Sequence, residues 1–455
     1  MHFVKSFLYI LALACLLITS GLWLPSNGQL STGSRPLFGP PVFPSSTPAK
    51  TNRNRNALLE NQIRSLKGAE TFALKFFAQL SNEHLKMPNS NYMISPFAVW
   101  SLLLLLTEGA VGNTLKELRD TLHIDHDQQV IRAAYRQIAS YLTVNTTTIE
   151  VASFNALFTD VNKPVNRDYE IVVERVYGSA LIPVDYQDVN NTFTKINDDI
   201  SKATRGLLPY TVTPQDFKEA NLLLISSLYF KGQWRYPFNS ADTRPATFYD
   251  EFGNSLGFVQ MMTQNGTFVY AGIQDLEAHV LELPYGTQNR LSMLVILPKK
   301  GVTVNKVANN LRDVGLVGIF RQLLSAAEDF EGESVEVFLP KFTTQSHFSL
   351  RTILTNMGIA DVFEPAFADL SKLSKNVFVS SIFHATRIIV NEEGTEAAAI
   401  TTAVLANKSI PPKFYVDRPF LYLIVEKKAN LLLFAAVFFP LAACLSLLVL
   451  LDTSG

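Results

Sequence analysis

The chemistry this sequence offers most plainly is that of a bait. Lys408 and Ser409 share a peptide bond followed by Ile410, Pro411 and Pro412, the kind of site that a protease preferring basic residues attacks. Upstream, alternate residues of an extended chain fall into two files. Thr395, Ala397, Ala399, Thr401, Ala403 and Leu405 form one, small until its far end; Glu396, Ala398, Ile400, Thr402 and Val404 form the other. A segment with one such tight file slides between two existing strands with little steric conflict. Gly394 stands at its root, where glycine absorbs a large backbone change. Residues 391–413 therefore read as a loop cleavable at its tip, insertable along its stem and hinged at its root, and a connector of this length is usually functional or disordered.

Other chemistry is weaker. His123, Asp125 and His126 make the best metal-like cluster, but their spacing matches no standard site and a helix terminus is the expected role. There is no Gly-rich phosphate loop and no Gly-x-Ser-x-Gly elbow. No catalytic residue, cofactor or metal is expected. Arg132 and Arg136 share one face of a helix over 128–142, a weak pointer to glycosaminoglycan against the default of a solvated face. A net charge of -1 over 455 residues supplies no basic face for nucleic acid. Sequons at Asn145, Asn190, Asn265 and Asn407 are candidate glycosylation sites. A glycan on Asn407 would obstruct a protease at Lys408, so that sequon is expected to be unused, or else to regulate access.

The loop needs rigid elements around it. A hydrophobic fraction of 47% against 17% charged supports a large core. Residues 387–390 lead into the loop as a strand and residues 420–425 follow it as another. Ile63, Leu66, Phe72, Leu74, Phe76, Phe77 and Leu80 recur at helical spacing. Ser95 caps a further helix over 97–107, with Pro96 at its first position. Helices over 114–122 and 128–142 and strands over 151–158, 180–184, 220–230, 276–285 and 291–297 complete the pattern.

These motifs, taken in order, resemble the serpins. Residues 392–401 resemble the family's hinge. Phe414, Tyr415, Val416, Asp417, Arg418, Pro419, Phe420, Leu421, Tyr422, Leu423 and Ile424 fit its signature at every restricted position. Counting seventeen residues from Glu392 inclusive reaches Lys408, where inhibitory serpins carry the residue that enters the protease's specificity pocket. The resemblance implies an α+β serpin fold, three β-sheets with about nine helices and an exposed reactive-centre loop near the C-terminus. It implies a hinge of Glu392, Glu393, Gly394, Thr395, Glu396, Ala397, Ala398 and Ala399. It also implies a breach at Trp234, a shutter at Ser95, Ser226 and His384, and a reactive bond Lys408–Ser409. The implied partner is a trypsin-like serine protease, trapped by a monomer in a covalent 1:1 complex as the stem inserts into the main sheet. Two departures stand out. Ser226 occupies a position where most serpins have Asn, and Ala98 one where they have a second Ser. Both remove hydrogen-bonding groups from a region that must open, which predicts that opening is differently stabilised.

The termini add compartment and boundaries. Lys5 precedes an apolar run over 7–18, and Ser26, Asn27 and Gly28 suit cleavage ahead of Gln29, with a cut after Ser20 the competing choice. Residues 1–28 thus read as a signal peptide of a secreted, extracellular protein, 29–57 as a disordered Ser/Pro/Asn-rich extension and 58–440 as the serpin domain. Cys15 and Cys444 leave one thiol once the signal is removed. Residues 441–455 prolong an apolar run from Leu431 that is long enough to span a membrane. Its first half is claimed by the last core strand, so an extension packed on the body, or a weak membrane contact, is expected. Two alternatives remain: a non-inhibitory serpin (carrier, chaperone or storage protein), against which the tight file argues, and a membrane-associated interaction protein.

Overall fold

The computed structural model describes residues 48–85, 90–142, 148–204, 206, 212–217, 220–329, 333–395 and 411–440. The chain forms two compact units, Met1–Asn52 and Arg53–Gly455. In the first only 48–52 are described, and they are helical. Lys408, Ser409, Glu396, Ala397, Ala398, Ala399, Asn145, Asn407, the signal segment and residues 441–455 lie outside the described residues.

Among the described residues the α-helices are α1 (Pro48–His84), α2 (Pro96–Gly109), α3 (Gly112–Leu122), α4 (Gln128–Leu142), α5 (Arg167–Tyr177), α6 (Val189–Ala203), α7 (Val304–Asp329) and α8 (Arg351–Asn356). Residues 48–57, read from composition as a disordered extension, are therefore helical. Proline is tolerated as the first helical residue, and nothing in the following Ala-Lys-Thr-Asn run breaks the turn. Helix α2 is buried at all 14 positions, which an all-round apolar sequence requires. Ser95 caps it, accepting a hydrogen bond from Ala98 N, and Pro96 opens it.

Sixteen strands build three sheets among the described residues. One six-stranded sheet runs β1 (Tyr92–Ile94), β16 (Leu431–Phe438), β15 (Phe420–Glu426), β9 (Leu291–Pro298), β8 (Ala278–Tyr285), β7 (Tyr270–Ile273). Strands β9, β15 and β16 are buried at every residue, as unbroken apolar runs dictate when both faces are covered. The apolar 431–438 run is thus core strand. A four-stranded sheet runs β14 (Lys413–Tyr415), β10 (Val335–Pro340), β6 (Ser255–Gly266), β5 (Arg244–Tyr249).

The sheet that matters most runs β11 (Phe342–Ser349), β12 (Ser381–Val390), β4 (Leu222–Gln233), β2 (Ile149–Asp160), β3 (Ala180–Val184), with β13 (Gly394–Thr395) attached to β4. Its two faces bury different cores. Leu222, Leu224, Leu228 and Phe230 of β4 join the large core that contains α2, whereas Leu223 and Ile225 pack with Ile196 and Ile200 of α6. Period-2 alternation along one strand thereby fixes which face any cross-strand neighbour must present.

Strand β4 pairs with β2 from Leu222 to Gly232. On its other edge it pairs in parallel with β12 only over Leu223–Leu228 against Ser381–Thr386. Both strands continue past that ladder, β12 to Val390 and β4 to Gln233, without pairing to each other. The central sheet is therefore split at one end.

Candidate functional site

The split end is built around the turn that leaves β12. Asn391 N donates to Gly394 O at 2.9 Å, and the Asn391 side-chain oxygen accepts from Glu393 N and Gly394 N at 3.1 and 3.2 Å. The chain reverses and Gly394–Thr395 becomes β13, antiparallel to β4 with Gly394 opposite Gln233 and Thr395 opposite Gly232. Gly394 has φ 137°, and a Cβ there would meet Gly232 O at 2.2 Å and Gln233 Cα at 2.8 Å. Only glycine fits this root.

Glu392 locks the turn to the body. Its carboxylate receives Lys341 Nζ and Thr243 Oγ1, both at 2.9 Å, and its carbonyl receives Phe238 N at 2.7 Å. Burial pushes this carboxyl up. The hydrogen bonds from Lys341, its own backbone and Thr243 outweigh that and hold it below the usual carboxylate range. Trp234 closes the other side. Its ring stacks on Tyr285 at 4.5 Å and 13°, its Nε1 donates to Asn391 O at 3.0 Å, and its backbone N donates to Glu393 O at 3.0 Å. The breach assigned to Trp234 and the hinge residues Glu392, Glu393, Gly394 and Thr395 thus form one contiguous site.

The shutter lies farther down the same seam. His384 is fully buried on β12, opposite Ser226 of β4, which is opposite Asn155 of β2. The His384 Nε2 accepts from Ser95 N at 2.8 Å and its Nδ1 donates to the Ser226 carbonyl at 3.1 Å. Burial drives the imidazole from 6.5 down to about 3, so the ring is neutral. His384 thus meets position 226 through the Ser226 backbone carbonyl and not through its side chain. Ser226 Oγ and Asn155 Oδ1 are buried with no hydrogen-bond partner among the described residues. Asn155 Nδ2 reaches only Ala98 O, at 3.5 Å.

Sequence reasoning missed Lys341, Thr243, Asn391 and Asn155. Asn391 was findable, because an Asn three residues before a Gly is an Asx-turn signal. Lys341 and Thr243 were not, since neither is local to Glu392. Of the sequons, Asn190 at the start of α6 and Asn265 on β6 are exposed. The shared basic face on α4 does not survive. Arg132 folds inward onto the buried Glu108, with bonds of 2.9 and 2.7 Å, and Tyr177 donates to the same carboxylate at 2.8 Å. A buried carboxylate needs that partner more than solvent does. His123 is the left-handed C-cap of α3, φ 53°.

A sequence profile described as Serpin (serine protease inhibitor) matches residues 67–440. Serpin B11 of Mus musculus is 30% identical over 79% of this chain and 95% of its own length, and Antithrombin-III of Mus musculus is 32% identical over 81% and 80%. The crystal structure of Serpin48, described as a highly specific serpin in the insect Tenebrio molitor, superimposes with a TM-score of 0.70. It is 25% identical over 83% of this chain and 98% of that one. A split central sheet with a glycine-rooted strand entering it, and a family match spanning nearly the whole described fold, make this chain a member of the serpin family.

Proposed function

We propose that this protein is a secreted suicide inhibitor of trypsin-like serine proteases, acting through the Lys408–Ser409 bond. The observation that carries the reading is β13. Its two residues already run antiparallel on the free edge of β4, the orientation in which an inserted strand satisfies both β4 and β12.

Continuing that register places residue 395 + k opposite residue 232 − k. Leu405 then falls opposite Leu222, the first residue of β4, so the stem matches the strand's length. Ala397, Ala399, Thr401 and Ala403 fall opposite Phe230, Leu228, Ser226 and Leu224, facing the large core over α2. The tight file meets the packed face, and Ile400 meets the α6 side. Thr401 enters the row of Asn155, Ser226 and His384, where two buried oxygens await a partner. Lys408, thirteen residues past Thr395, leaves at the far end of the sheet, about 44 Å away at 3.4 Å per residue.

A protease serine attacks the Lys408 carbonyl, the Ser409 amine departs, and the acyl-enzyme ester forms. The freed stem inserts, and the protease is carried with its ester to the opposite pole before water completes hydrolysis. Strain stored in the loop is thereby released. Lys408 suits an acidic-floored specificity pocket. The test is incubation with trypsin followed by a denaturing gel. The expected result is a detergent-stable complex and a released peptide beginning at Ser409, both lost in Lys408→Ala. Cleavage at the loop without a complex would refute inhibition and leave a substrate-like, non-inhibitory serpin.

A further inference from the structure

Two sequons lie among the described residues, and the fold treats them differently. Asn190 is exposed at the start of α6, but its Thr192 is buried, with Oγ1 donating to Asp185 O at 2.7 Å. The acceptor motif includes the hydroxyl residue as well as the amide, so Asn190 is presentable only before α6 forms. Asn265 is the penultimate residue of β6, with Gly266 closing the strand and Thr267 just beyond it. Asn265 and Thr267 are both exposed. This sequon stays presentable in the folded protein.

The strand register shows what lies beside that amide. Asn265 is opposite Glu336 of β10, which is opposite Lys413 of β14; two residues along, Thr263, Phe338 and Tyr415 form a second row. Val337 and Phe414, between these rows, are buried in the core, so both rows turn outward. Phe338 is half-buried. Tyr415 packs on it with ring centroids 4.5 Å apart, and Lys413 Nζ lies 5.4 Å from its centroid. Both of those neighbours belong to β14. Toward β6 the ring has Thr263 opposite and Asn265 on the diagonal, a separation of about 7–8 Å that a long or ring-bearing group spans.

We propose that Asn265 carries an N-linked glycan whose first sugar lays its apolar C–H face on Phe338. This rests on the secretion reading above, because the donor, a lipid-diphosphate-linked oligosaccharide, belongs to the secretory route. In the transfer a bond forms between Asn265 Nδ2 and C1 of the sugar, and the bond from C1 to the diphosphate oxygen breaks. The lipid diphosphate leaves, and one amide proton passes to a base of the transferring enzyme. Seating the sugar on the β6 side of Phe338 removes apolar surface of both from water.

The experiment expresses the full chain in cells that secrete high-mannose glycoproteins, alongside Thr267→Ala, Phe338→Leu and the double variant. Peptide N-glycosidase F turns a glycosylated Asn into Asp, and peptide mapping should find residue 265 converted in wild type and unconverted in Thr267→Ala. Endoglycosidase trimming to the first sugar should leave the melting temperature of wild type unchanged. Losing that sugar, in Thr267→Ala, should lower it by about 1–2 °C. In the Phe338→Leu background, Thr267→Ala should bring no further fall. Secreted protein with Asn265 unmodified overturns the site while leaving secretion standing. Protein retained inside the cell and unmodified overturns secretion, and the site with it. An equal fall with and without Phe338 overturns the seat of the sugar.

Discussion

Acid should loosen the central sheet through one side chain, His384. Both of its hydrogen bonds require the neutral ring: Nε2 accepts from Ser95 N, and Nδ1 donates to the Ser226 carbonyl. A proton on Nε2 would set one N–H against another in a fully buried site. Burial accordingly lowers the folded pKa from 6.5 to about 3, with repulsion from His347 a smaller cause. The folded value lies below the unfolded one, so this stabilisation is complete above pH 6.5 and is lost progressively as pH falls from 6.5 towards 3. At about 1.36 kcal/mol per unit, the step from pH 7.5 to 5.0 removes about 2 kcal/mol. The assay is the urea midpoint of the uncleaved protein, followed by tryptophan fluorescence, for wild type and His384→Asn at both pH values. Wild type should exceed the variant at pH 7.5, and the gap should shrink by about 2 kcal/mol at pH 5.0. Other carboxylates titrate in both proteins and cancel in the difference. A gap that stays constant over this range would refute the assignment.

Two other perturbations address the same seam. Glu392→Gln removes the charge that Lys341 and Thr243 hold; with Lys341 48% exposed, the loss should be only on the order of 0.5–1 kcal/mol. Its signature should be faster conversion of the uncleaved protein to a non-inhibitory form on incubation at 37 °C, and an unchanged conversion rate would show that the turn does not guard the split. Thr401→Val keeps the volume and removes the hydroxyl that insertion brings to Ser226 and Asn155. The loop-cleaved form should lose about 1 kcal/mol of stability while the uncleaved form is unmoved, by paired guanidinium unfolding. Equal effects on both forms would place Thr401 in a different row.

Much of this was legible in the sequence because the informative features are local. Pro96 after Ser95, the apolar 431–438 run, and Gly394 at the root of a small-residue file each announce a backbone requirement within a few positions. The helix over 48–57 was not legible because composition alone describes those residues as polar, whereas helix formation needs only the absence of breakers and a continuing helix behind it. Arg132 misled for a related reason. Helical spacing shows that two arginines share a face, but not that Glu108, twenty-four residues earlier, sits beneath one of them. The resemblance pointed to an opening near Trp234, but not to where the sheet parts. That depends on where pairing between β12 and β4 stops, at Leu228 and Thr386, and both strands remain strand-like past that point.

The stopping point matters because it separates rate from equilibrium. To admit the stem, the six-residue ladder between Leu223–Leu228 and Ser381–Thr386 must part, and with it the His384 bond to the Ser226 carbonyl. What forms in exchange is two ladders, one on each side of the new strand, and a hydroxyl in the row of the orphaned Ser226 and Asn155 oxygens. Each net hydrogen bond contributes about 1 kcal/mol, so doubling the ladders favours insertion even before the stem's apolar residues are buried. On the inhibitory reading proposed above, the uncleaved fold is then held by its barrier rather than by its depth. The groups that set this barrier are those spanning the seam: the Glu392 turn at the open end and His384 at the closed one. Ser226 contributes only its carbonyl to that closure. A longer side chain at this position, able to bond His384's neighbours directly, would raise the barrier at the expense of the speed on which trapping an acyl-enzyme depends.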